Sequence, residues 1–175
     1  MIAAVDVQYD EDASIAIGAA VVFENWADET TVAEYAAQCD KIQSYVPGEF
    51  FKRELPCLLA VLEQIAEPLE LIIIDGYVSL GDKPGLGMRL WDALEWNTPI
   101  IGVAKTRFQG AESTEVFRGK SRIPLYVTAA GTDIAEASVN VARMAGPYRV
   151  PMLLKRVDRL ARDQLKQRSS QPSPK

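Results

Sequence analysis

Residues 72–87 read IIIDGYVSLGDKPGLG, an apolar run that ends abruptly in an acid, Asp75, and passes into a glycine-rich loop. With Leu71 in front, Ile72, Ile73 and Ile74 form a β-branched stretch without alternation, as suits a strand covered on both faces of a parallel or mixed sheet. Ligands of such sheets collect at the carboxyl ends of the strands. Asp75 is therefore either a site residue or the acid that opens the following turn or helix, since Asp serves both ends well. The residue alone does not choose, and other acids must decide.

The rest of the chain sets the frame. At 175 residues it reads as one domain, large enough to bury about two-thirds of its unfolded surface. With 48% hydrophobic and 25% charged residues it has the composition of an ordinary globular protein. No apolar run reaches membrane-spanning length, and the N-terminus MIAAVDVQYDED lacks a basic, then apolar, leader pattern, so a cytoplasmic location without a membrane partner is expected. Cys39 and Cys57 lack metal or redox spacing and read as small buried thiols. The absence of any histidine excludes Ser-His-Asp and Cys-His catalysis as usually built, and a histidine-held zinc. A net charge of -5 weighs against broad phosphate binding, although uneven charge leaves it possible locally.

Read outward from Asp75, the chain gives an order of elements. Residues 2–9 and 13–24 form a hairpin, and 30–38 reads as a third antiparallel strand with a short helix as the alternative. Pro56 opens a helix whose core stripe is Leu58, Leu59, Leu62, Ile65 and Ala66, closed by Pro68. After the strand ending at Asp75 come a helix around GMRLWDALEW, a strand over 99–105, a strand IPLYVTAA and a helix over TDIAEASVNVARMAG. In that helix Asp133 and Glu136 have capping-box spacing, and Gly146 sits where a C-terminal cap belongs. A last amphipathic helix starts near Pro151 with Leu153, Leu154, Val157, Leu160 and Ala161 on one face. Residues 1–166 are taken as the domain and 167–175 as a disordered tail.

Antiparallel strands followed by alternating helix and strand predict an α/β fold with a mixed central sheet flanked by helices. That order resembles the ribonuclease H-like fold, whose carboxylates stand mid-way along the first strand and at the end of the fourth; Asp6 and Asp75 hold those positions here. The segments VDVQY, YVPGEFFKRE, DGYVSLGDKPGLG, IGVAKTRF and YRVPMLLKRVD, in register from residue 2 to about 162, are similar to those of the endonuclease V family of ribonuclease H-like nucleases.

The resemblance implies a site residue by residue. It puts metal-binding catalytic carboxylates at Asp6, Glu54 and Asp75, a catalytic cation at Lys105, and a further metal-linked side chain at Asp158. Hard oxygen donors of this kind suit Mg²⁺, or Mn²⁺ in its place. These residues also have plain alternatives: a solvated turn for Asp6, a charge at a helix N-terminus for Glu54, and a surface position for Lys105. Tyr45, Val46, Pro47 and Gly48 resemble the family's duplex-opening wedge, whose alternative is a turn with a packed tyrosine; Gly76 and the loop to Gly87 resemble the segment that closes over a flipped base.

The chain also departs from the family. Where a His-Pro-Arg is common it has Gly81, Asp82 and Lys83, and where a Gly-His-Arg is common it has Gly131, Thr132 and Asp133. The expected function is a Mg²⁺-dependent endonuclease, working as a monomer, that cuts DNA 3′ to a deaminated base such as deoxyinosine. The rivals are a weakened nucleic-acid-binding homologue and the same chemistry on inosine-containing RNA or branched DNA.

Overall fold

The computed structural model describes residues 1–10, 14–39 and 51–169. Three strands open the chain: β1 (Ile2–Asp10), β2 (Ile15–Phe23) and β3 (Ala33–Cys39), paired antiparallel in succession. The segment read from its β-branched start as a third strand is one. Helix α1 (Phe51–Leu62) leads to β4 (Leu71–Asp75), followed by a two-stranded hairpin, β5 (Ser79–Leu80) with β6 (Lys83–Pro84). Then come α2 (Leu86–Ala93), β7 (Ile100–Ala104), β8 (Thr114–Val116), β9 (Leu125–Ala130), α3 (Ile134–Arg143) and α4 (Met152–Ser169). The seven-stranded sheet has the order β3-β2-β1-β4-β7-β9-β8. Strands β1, β4 and β7 run parallel at its centre, and the flanking pairs are antiparallel. This is the expected mixed α/β sheet.

Both faces of the sheet are covered, which is why its central strands read as continuous apolar runs. Val5, Val7, Ile72, Ile74 and Ile100 pack with Leu58 and Val61 of α1 and Leu90 of α2. On the other face Ile2, Ala4, Ile73, Ile101 and Val103 pack with Val141 of α3 and Leu153, Val157 and Ala161 of α4. Strand β2 uses small residues where α1 comes close: a Cβ on Gly18 would lie 2.4 Å from the Cys57 carbonyl oxygen. Only glycine permits that approach.

The helix boundaries differ from the sequence reading in ways that have physical causes. Pro56 lies inside α1 rather than at its opening, and the helix ends at Leu62, well before Pro68. The burial of Arg53, Cys57, Leu58 and Val61 drives this helix across the proline, a case of packing outweighing local preference. Ala66 is exposed and takes no part in the stripe. In α3 the Asp133 carboxylate accepts from the Glu136 amide at 2.9 Å, as the spacing predicts.

Glycine does not cap the far end of α3. The helix closes at Met144, two residues before Gly146, and its carbonyls are met by a buried cation. The Arg118 guanidinium donates to the carbonyls of Ala142 (3.3 Å), Met144, Tyr148 (2.9 Å) and Arg149 (3.2 Å). A side chain thereby satisfies groups that a helix end leaves open. Helix α4 continues through Ser169, past the boundary expected at residue 166, and Ser169 bonds Asp10 at 2.5 Å. The rest of the expected tail lies outside the described residues.

Candidate metal and nucleic-acid site

Parallel pairing of β1 with β4 sets Val5 beside Ile74, so the next residues, Asp6 and Asp75, come out as neighbours on adjacent strands. By strand alternation both belong to the face that carries Ala4 and Ile73. Asp6 sits at the middle of β1 and Asp75 at the carboxyl end of β4, as expected. Glu54 approaches from the first turn of α1, where the helix dipole favours a negative charge. Asp158 reaches the group from α4: the Gln8 side-chain amide donates to Asp6 Oδ2 at 3.1 Å and to Asp158 Oδ1 at 3.2 Å, bridging strand and helix.

The acids load one another. Burial pushes Asp6 up to about 6, with the Gln8 hydrogen bond opposing and the charges of Asp75 and Asp158 adding to the rise. Burial pushes Glu54 up to about 8, opposed by a hydrogen bond from Tyr9 and by Arg53, and reinforced by Asp6 and Asp75. Buried, like-charged carboxylates behave this way when no cation stands among them. Protein cations relieve the outer members instead. Lys105, just past β7, donates to Asp75, and Arg162 donates to both oxygens of Asp158 at 3.1 and 3.0 Å. Among the described residues no three acidic, histidine or cysteine side chains converge closely enough to enclose a metal ion. Asp6, Glu54 and Asp75 are electrostatic neighbours, and their all-oxygen donor set fits a hard divalent cation.

A cavity of about 410 Å³ opens beside the acids, between α1, the hairpin and α2; Glu54, Asp75 and Gly76 line it together with Tyr77 and Leu80. Gly76 has φ +142°, a conformation that side chains resist. Gly102 on β7 makes room for that turn, since a Cβ there would lie 2.5 Å from the Gly76 carbonyl oxygen. The Tyr77 hydroxyl then staples the turn to the next loop, donating to the Thr106 carbonyl at 2.8 Å and accepting from the Phe108 amide at 2.9 Å.

The structure thus brings together Asp6, Glu54, Asp75, Lys105 and Asp158, and sets Gly76 at the adjoining cavity. Tyr45, Val46, Pro47 and Gly48 lie outside the described residues. Sequence reasoning missed Gln8 and Arg149. Gln8 was findable, because two residues beyond Asp6 on a strand returns to the same face. Arg149, whose guanidinium holds the Pro124 carbonyl at 2.9 Å and the Lys105 carbonyl, bonds across 44 residues and leaves no local trace.

Among known proteins, the family model described as Endonuclease V matches residues 1–145. Endonuclease V of Streptomyces avermitilis is 31% identical over 185 residues, covering 93% of this chain and 80% of that protein. Endonuclease V of Rhodospirillum centenum is 31% identical over 173 residues, covering 86% of this chain and 72% of its own length. The crystal structure of the Streptomyces avermitilis protein superposes with a TM-score of 0.79 at 28% identity, covering 97% of this chain and 82% of that one. Ciona intestinalis endonuclease V, solved with a 24mer DNA containing an inosine followed by a ribo-adenosine, shares the fold with a TM-score of 0.76 at 18% identity, over 95% of this chain and 85% of that one.

Proposed function

Because the chain belongs to the endonuclease V family, we propose that it is an endonuclease of deaminated-base repair, hydrolysing the phosphodiester 3′ to deoxyinosine in DNA with Mg²⁺, or Mn²⁺ in its place. One observation carries the assignment of residues. Asp6 and Asp75 stand side by side on parallel strands, with Glu54 charge-coupled to both and an open cavity next to them.

Asp6, Glu54 and Asp75 would hold the cation, with Asp158 acting through Gln8. When bound, a divalent ion supplies Lewis-acid stabilisation of charge on the phosphate. The chain's own residues do the rest. Lys105 carries a positive charge at the lip of the site, where it can meet the oxyanion that develops as the bond breaks. The turn at Gly76 brings backbone close to whatever planar group fills the cavity, and Tyr77 keeps that turn fixed. Tyr45, Val46, Pro47 and Gly48 would act as the wedge that separates strands around the lesion. The working unit is this single domain, with α4 carried through Ser169 in place of the boundary at residue 166, acting as a cytoplasmic monomer; no helix among the described residues is long and apolar enough to cross a membrane.

A weakened, binding-only homologue is the second reading. It is favoured by the ion pairing of Asp75 with Lys105 and of Asp158 with Arg162, which leaves no tight ligand trio among the described residues. The deciding experiment incubates the protein with single-stranded, duplex and branched oligonucleotides carrying one inosine, with a deoxy- or a ribonucleotide after it, in Mg²⁺, Mn²⁺ or EDTA. A single product dependent on inosine and on metal, absent with Asp75→Asn, is expected. Uncut substrates that are nonetheless retained would favour the second reading, and the sugar that supports cutting identifies DNA or RNA as the substrate.

A further inference from the structure

The cavity beside the acids is lined by a cation whose buried Nε finds no acceptor among the described residues. Arg89, on α2, lines the cavity together with Glu54, Asp75 and the exposed Lys83. Its guanidinium carbon lies 3.5 Å from the centroid of the Phe51 ring, within cation–π distance. The Arg89 Nε is buried with no hydrogen-bond partner, and Arg89 makes no ion pair among the described residues. Other basic side chains are paired: Lys105 with Asp75, Arg162 with Asp158, and Arg156 with Glu34.

A guanidinium is always charged and carries five donors in a planar fork. Contact with Phe51 holds the head group against the aromatic, and a partner meets the remaining donors of the fork. Buried donors without acceptors are costly, and a site that keeps one keeps it for something that arrives. The cavity's volume lies in the range of small-molecule sites, and aromatic and aliphatic side chains dominate its walls, which suits a flat heterocycle better than a hydrated phosphate. We propose that Arg89 is the base-reading residue of this cavity, its fork donating to the O6 and N7 acceptors of a 6-oxopurine. Adenine offers N7 but turns an amino donor toward the fork, so the pair discriminates by chemistry rather than by size. This inference rests on the proposal that the cavity receives a base expelled from DNA.

Binding is the readout, independent of cutting. Fluorescence anisotropy in EDTA compares single-stranded oligonucleotides that differ at one position: hypoxanthine, 7-deazahypoxanthine, unsubstituted purine or adenine. A bidentate arginine contact is worth about 5- to 150-fold in affinity. The parent should prefer hypoxanthine over purine and over adenine within that range, and lose part of the preference to 7-deazahypoxanthine. In Arg89→Gln all four ligands should bind alike. Arg89→Lys, which keeps the charge and the packing stem but not the fork, should also bind them alike while keeping more of the overall affinity. A melting curve confirms that each variant is folded. Equal preferences in parent and Arg89→Gln would overturn the assignment, and so would a uniform loss across all four ligands, which marks a phosphate contact. A parent without preference overturns it too. Arg89-dependent preference in a protein that cuts none of these oligonucleotides in Mg²⁺ would refute the nuclease reading while leaving the base reader standing.

Discussion

Raising the pH from 5 to 8 in EDTA should destabilise this protein progressively, and the carboxylates of the site are the reason. Glu54 is held up to about 8 and Asp6 up to about 6, each mainly by burial. A carboxyl whose pKa is raised on folding binds protons more tightly in the native chain than in the unfolded one. Its stabilising contribution is therefore complete below the unfolded pKa and is lost as the pH climbs through the folded value. Across pH 5 to 8 that loss is about 3 kcal/mol for Glu54 and about 1 kcal/mol for Asp6. In a domain of this size 1 kcal/mol moves the melting temperature by about 2 to 4 °C, so the fall should be about 8 to 16 °C. The window is clean because the chain has no histidine, the side chain that ordinarily titrates there. Differential scanning fluorimetry in EDTA at half-unit pH steps measures it. Glu54→Gln should remove most of the slope, and Mg²⁺ should flatten it in the parent if the cation binds the charged acids. A melting temperature that is level or rising from pH 5 to 8, or a Glu54→Gln variant that keeps the full fall, would refute the reasoning.

Two further outcomes follow from other parts of the structure. Arg118→Ala strips the carbonyls of Ala142, Tyr148 and Arg149 of a charged donor and should cost about 2 to 4 kcal/mol by calorimetry, while a change under about 0.5 kcal/mol would show that water replaces it. With a net charge of -5 the protein should release on the order of two to four ions on binding an oligonucleotide, read as the slope of log affinity against log salt; a slope near ten would mean a basic surface elsewhere.

The parts of this molecule that were readable in its sequence are those whose cause is local or periodic. An unalternating isoleucine run ending in Asp75 announced a doubly covered strand, because burial on both faces dictates composition directly, while Asp6 as its neighbour was implied by the resemblance to the ribonuclease H-like fold. The capping acid Asp133 was readable for the same reason, since its partner is three residues away. What escaped depends on contacts made across the chain. The hairpin of β5 and β6 has strands too short to show a period, and β8 is only three residues long. Pro56 misled because tertiary packing carries α1 over it. Arg118 and Arg149 act on carbonyls far away in sequence, which no spacing rule anticipates. In the site, the acids were legible as types in order, but the bridge through Gln8 and the pairing of Lys105 with Asp75 are products of the fold alone.

Helix α4 follows every strand in the chain, and it supplies both Asp158 and the apolar cover over Ile2, Ala4 and Val21. Synthesis runs at about 5 to 20 residues per second, so a growing chain presents Asp6 and Asp75 long before their fourth acid exists. Until the helix leaves the ribosome, the β1–β2 part of that face is uncovered hydrocarbon and the site lacks one wall. A chain broken off before α4 should be sticky and inert, a substrate for chaperones and proteases rather than a stray cutter of nucleic acid.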